Sequence, residues 1–191
     1  MTILIVGLIL FLGTHSIRIV AEPLRARLVG SMGEGAYKGL YSLLALAGLV
    51  LIVIGYGQAR MEPVVLYQPP TFLRHMNMLL MLIVFPALLA SHLPGRVQSA
   101  LKHPLLVAVK AWALGHLLVN GMLADVLLFG GFLAWAVVDR ISIKRRSTPS
   151  RSPQLPAGRF NDPIVIVGGL GLYVAFAFWL HPILIGVPAV G

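Results

Sequence analysis

An all-α, polytopic transmembrane bundle of about six helices is the fold this sequence predicts, and three observations predict it. Mean hydropathy is +0.90 and only 11% of the 191 residues are charged, too few to coat a water-soluble globule. The apolar residues fall into long runs, Ile3–Leu12, Leu43–Ile54, Met78–Ala90, Leu105–Val119, Val126–Val138 and Ile164–Leu180, nearly free of charge. The lysines and arginines gather mainly in alternate segments between those runs, as they do between the spans of membrane proteins.

A span needs about 20 mostly apolar residues, or somewhat fewer where charged ends snorkel. The first helix is expected near residues 2–20. Only Met1 and Thr2 precede its apolar core and no small-x-small site follows Phe11-Leu12, so it reads as a permanent span and not a cleaved signal. Gly30, Gly33 and Gly35 around Glu34 predict a turn with an interfacial segment before the second helix, near 37–59. The third, near 72–92, contains Pro86, whose missing N–H predicts a kink. The fourth and fifth are expected near 104–120 and 122–141, and the sixth near 162–181. Gly130 and Gly131 in the fifth and Gly168, Gly169 and Gly171 in the sixth permit close helix contact. Ser147–Gly158, rich in Ser and Pro, predicts a mobile basic loop over about 142–161. With no internal repeat and no room for a separate soluble module, residues 1–191 read as one integral membrane domain.

Charge sets the expected orientation. Twelve Lys and Arg residues lie after the first, third and fifth spans, against Arg60 and Arg74 on the other side. The positive-inside bias then places the long basic loop in the cytoplasm and both termini in the periplasm of a bacterial inner membrane. The net charge of +9 is therefore mostly topology, and a run such as Lys144–Arg146 suits anionic lipid. The bilayer is the expected partner. Nucleic acid is excluded, because these loops cannot build a recognition fold. With no cysteine, disulfides, thiolate metal sites and cysteine nucleophiles are excluded together.

Ionisable groups within lipid are costly, so those that persist point to function. Of the six histidines, His92, His103 and His181 fall at helix ends, where solvation explains them. His116 lies deep in the fourth helix, with Trp112 and Asn120 at i−4 and i+4 and Gly115 leaving space for a flat ligand or another helix. His15 lies near the inner end of the first helix, with Arg18 and Glu22 at i+3 and i+7. An imidazole with a cation below it suits a haem, whose iron seeks imidazole and whose propionates seek Arg or Lys. Lys110, seven residues after His103, could snorkel toward the same edge. A histidine bonded to Asn or a backbone carbonyl, merely joining helices, accounts for His116 equally well. His75 is a rival ligand and Met78 a weaker one. The carboxylates Glu22, Glu34, Glu62, Asp125, Asp139 and Asp162 lie near helix ends or in loops, which argues against a midplane proton relay, a hard-metal site or a catalytic triad. Asp139-Arg140 reads as the cap of the fifth helix.

Phe11-Leu12-Gly13-Thr14-His15-Ser16, the step Lys102-His103-Pro104, and Trp112-Ala113-Leu114-Gly115-His116-Leu117-Leu118-Val119-Asn120-Gly121 resemble the NnrU family. The resemblance runs from the first helix through Asp139-Arg140, and the segment from His103 to His116 is its most specific part. That family was named for a role in bacterial denitrification, where it supports nitrite and nitric oxide reduction. It is also similar to the plastid 15-cis-zeta-carotene isomerases, which bind haem b. The resemblance implies a haem b held by His15 and His116, with His103 as an alternate or supporting ligand and Arg18 and Lys110 near the propionates. It further implies a redox or assembly role beside a respiratory or redox partner in the membrane, or isomerisation at haem iron. The isomerases carry a cysteine three residues before the later ligand, where this chain has Ala113, so a redox-driven ligand exchange is not expected here. The rival expectation is a haem-free accessory or scaffold whose histidines serve helix contacts. A transporter ranks last, for want of repeats and midplane carboxylates.

Overall fold

The computed structural model describes residues 1–146 and 154–189, and among these it is helical apart from loops and one isolated β-bridge. The helices are α1 (Thr2–Val20), α2 (Glu22–Met32), α3 (Glu34–Ala59), α4 (Leu73–Ala90), α5 (Arg96–Leu101), α6 (Pro104–Val119), α7 (Leu123–Ile143) and α8 (Asn161–Ile185). Five of them, α1, α3, α4, α7 and α8, are long and apolar enough to cross a bilayer. The sixth expected span, α6, has 16 residues. At 1.5 Å per residue it covers about 24 Å, short of the roughly 30 Å hydrocarbon layer.

The chain forms two compact units, Met1–Pro70 with Val119–Ser147, and Thr71–Leu118 with Thr148–Gly191. The first carries α1, α2, α3 and α7. Its heart is the α1–α3 pair, where glycines let the backbones touch. A Cβ on Gly7 would lie 2.6 Å from the Ile52 nitrogen, and one on Gly48 2.7 Å from the Phe11 nitrogen. Gly55 meets the backbone of Leu4 still more closely. These pairs run in opposite order along the two helices, so α1 and α3 are antiparallel. Phe11 meets Phe132 and His15 meets Trp135, so α7 runs parallel to α1. Lipid tails are as apolar as leucine, so such contacts gain from van der Waals packing more than from burial. Large apolar side chains accordingly point outward, with Ile9 68% and Val53 64% exposed.

Between the first two spans the chain turns at Gly33, within the expected glycine segment, and the residues before it form a helix, α2. Ala21 (φ −140°) ends α1, Glu22 and Pro23 occupy the first turn of α2, and Gly33 (φ 83°) ends it. Glu22 therefore begins a new helix and does not extend the face of His15. After α3, the loop is strapped to the start of α7. Leu66 N–H donates to Gly121 and Leu123 N–H to Val64, both at 2.8 Å, beside the Val65–Met122 bridge.

The second unit carries α4, α5, α6 and α8. Val84 and Ala87 of α4 pack on Ala108 of α6, with Met81 and Trp112 alongside. Pro86 lies within α4, which continues to Ala90, and its ring seats on Gly169, where a Cβ would come within 2.7 Å. The expected sixth helix is present but contains two π-helical segments, Ile164–Gly168 and Phe176–Leu180. At its start the Asp162 carboxylate accepts the Arg96 and Val97 amides, each at 3.0 Å, and caps α5. Of the expected loop, residues 147–153 lie outside the described residues. Residues 154–158 are exposed, and Leu155 N–H donates to the His92 carbonyl at 2.8 Å.

Candidate functional site

His15 stands on α1 in an aromatic surround built by three helices of the first unit. Phe11 stacks on its ring at 4.2 Å, one turn back on the same helix. Tyr41 of α3 and Trp135 of α7 approach edge-on, with centroids at 5.4 and 6.0 Å. The His15 Nδ1–H donates to the Phe11 carbonyl at 2.7 Å. A carbonyl can only accept, so Nδ1 carries a proton, and in a neutral ring the lone pair then lies on Nε2, the nitrogen left for a metal.

One turn further, Arg18 and Arg25 share Glu22. Arg25 donates to Glu22 Oε1 at 2.9 Å and also covers the Tyr37 ring at 5.7 Å. Arg18 Nε lies 3.9 Å from Glu22 Oε2, too far for a hydrogen bond. Arg18 Nε, Glu22 Oε2 and Trp135 Nε1 are buried without a hydrogen-bond partner. An imidazole whose Nδ1–H is spent and a guanidinium one turn away are the groups here that would hold a haem iron and a propionate.

His116 belongs to the second unit. Its Nδ1–H donates to the Trp112 carbonyl at 2.9 Å, which likewise puts a proton on Nδ1, and the two rings lie 5.5 Å apart. The space that Gly115 leaves is taken by a helix, since a Cβ there would meet the Asn77 amide oxygen and, at 2.5 Å, Met81 of α4. Asn120 does not continue the expected stripe. It lies beyond the end of α6, and its carbonyl accepts the Tyr67 hydroxyl at 2.7 Å. His103 precedes α6 and is half-buried, as is Lys110 within it, while His75 is exposed at the start of α4. Among the described residues no three His, Cys, Asp or Glu side chains gather into a metal cluster.

Two carboxylates hold positions that sequence spacing did not reveal. Asp125, in the first turn of α7, is fully buried; its oxygens accept the Tyr56 hydroxyl at 2.6 Å and the Met122 amide at 3.0 Å. Burial, then the Asp125 charge, hold the Tyr67 phenol above its ordinary pKa. Asp139 pairs with Arg146 at 2.6 Å across the end of α7, and not with its neighbour Arg140. The Trp135 contact was equally hidden, because nothing in the chain order announces the parallel register of α1 and α7.

Comparison with curated proteins and with solved structures gives no match. The profile described as NnrU protein matches residues 3–189, nearly the whole chain and both of its units. With long apolar helices and lipid-type surfaces, the chain is a membrane protein belonging to the NnrU family.

Proposed function

We propose that this protein binds haem b in the bacterial inner membrane, with His15 and His116 as imidazole ligands, and supports denitrification through nitrite and nitric oxide reduction or carries out a haem-dependent isomerisation. The observation that supports it most is His15, whose Nδ1–H is spent on the Phe11 carbonyl while aromatic rings of three helices enclose the ring. Bound haem supplies an iron that exchanges single electrons and takes small ligands. The chain's part is to hold imidazole at fixed tautomer, exclude water and place cations near the porphyrin edge. His103 remains the alternate ligand and Lys110 a further propionate partner. Protein purified after haem-replete expression is expected to show a Soret band that changes in His116→Ala. No band, or an unchanged one, would reject the site.

A haem-free accessory protein is the second reading, and the packing of Asn77 and Met81 on Gly115 favours it, because that face of α6 serves helix contact. It predicts that His116→Ala lowers stability or partner retention with no spectral consequence. The orientation proposed with either reading puts both termini in the periplasm. The chain has no cysteine, so single cysteines at residues 62 and 144 give a clean labelling test. An impermeant maleimide is expected to label the first in intact spheroplasts and the second only after lysis; the reverse pattern overturns the orientation.

A further inference from the structure

A groove in the second unit involves none of the residues proposed for haem. Its walls are the segments before α5 and before α8, tied together by hydrogen bonds. Leu155 N–H donates to the His92 carbonyl at 2.8 Å. The buried Asn161 amide donates to the Pro94 carbonyl at 2.8 Å and to that of Pro156 at 3.2 Å. Asp162 accepts the Arg96 and Val97 amides, and Gly95 permits this closure, since a Cβ there would run into the Asp162 carboxylate. The groove measures about 730 Å³, and Arg96 and Arg159 both line it. Asp162 lines it too, but each of its oxygens is engaged by an α5 amide, so that helix end is already capped. Neither guanidinium is in an ion pair among the described residues, and that of Arg159 rests over the Phe160 ring at 4.6 Å. Two guanidiniums against one carboxylate leave the groove positive.

Position narrows the ligand. The α4 helix ends at Ala90 and α8 begins at Asn161, and both are long enough to span, so the groove sits where two spans meet water. Phe160, Ile164 and Val167, four and three residues apart, follow Arg159 and are 58%, 49% and 72% exposed. An apolar strip therefore leads from the cations along α8. Cations at the water boundary beside such a strip match an amphipathic anion. We propose that this groove binds the headgroup phosphate of an anionic phospholipid, with Arg96 and Arg159 donating to its oxygens and the acyl chains lying along Phe160, Ile164 and Val167. Guanidiniums suit the task because their paired N–H groups match phosphate oxygens, and basic pockets beside spans are where such headgroups lodge. A free phosphate would use the same guanidiniums but not the strip. The proposal stands or falls independently of haem.

The test titrates the full-length protein in detergent with dioleoylphosphatidylglycerol and, separately, with dioleoylphosphatidylcholine, and counts bound lipid by native mass spectrometry. The wild type is expected to bind the anionic lipid about tenfold more tightly than the zwitterionic one. Arg96→Gln/Arg159→Gln is expected to lose that preference. Arg96→Lys/Arg159→Lys should keep part of it, because the charge survives without the planar fork. Arg27→Gln/Lys144→Gln, which removes the same charge from exposed positions of the first unit, should leave it unchanged. No preference in the wild type, a preference that persists in Arg96→Gln/Arg159→Gln, or an equal loss in Arg27→Gln/Lys144→Gln overturns the site. Displacement of the lipid by an equal concentration of inorganic phosphate overturns the lipid assignment and makes the ligand a free phosphate.

Discussion

The two ends of the α1–α3–α7 bundle are built on opposite principles. Around Asp125 every polar demand is met locally. The carboxylate is fully buried, yet it accepts the Tyr56 hydroxyl and the Met122 amide, joins α3 to α7 and caps the latter's first turn. Around His15, about 22 Å away along α3 by helical rise, Arg18 Nε, Glu22 Oε2 and Trp135 Nε1 are buried without a hydrogen bond and two guanidiniums share one carboxylate. A satisfied network holds helices together, whereas an unsatisfied one keeps capacity for something else. The same three helices supply both, so the contrast reflects the residues and not the framework.

Substitutions should separate the two ends by stability. The largest loss is expected from Asp125→Ala, which removes a buried cap and strands the Tyr56 hydroxyl, at about 3 kcal/mol. Denaturant unfolding in detergent measures it, and a loss below about 1 kcal/mol would mean that this end does not hold the bundle. Tyr56→Phe removes the shorter of the two bonds while Met122 still donates, and should cost about 1.5 kcal/mol in the same assay. Trp135→Phe should cost least in the absence of any added porphyrin, within about 0.5 kcal/mol, because no hydrogen bond is lost with the indole N–H. A large loss there would erase the contrast.

Much of this bundle is legible in the chain, for a physical reason. Apolar length is a property of consecutive residues, so α1 falls on residues 2–20 as expected and α3 and α7 differ from expectation by three residues or fewer at each end. The α2 helix escapes such reading because Arg25 and Arg27 break any apolar run, and its boundaries are set by Pro23 and Gly33. The site is legible only in part. That His15 bonds the carbonyl four residues back follows from any helix, and Phe11 is visible at that spacing. Trp135 and the pair of Tyr56 with Asp125 depend on which helices run parallel and at what register, which no run of consecutive residues announces; Gly48 and Gly55 bring α3 against α1 only. The shift of Asn120 out of α6 has the same origin, since the loop after α3 draws its carbonyl into a bond with Tyr67.

The most direct test compares visible spectra of wild type, His15→Ala and Asp125→Asn, each purified after haem-replete expression and matched for folded protein. The account predicts a Soret band in the wild type and in Asp125→Asn, with the band lost or strongly shifted in His15→Ala alone. A wild type with no band, or a His15→Ala protein whose oxidised and reduced spectra match the wild type, would contradict it.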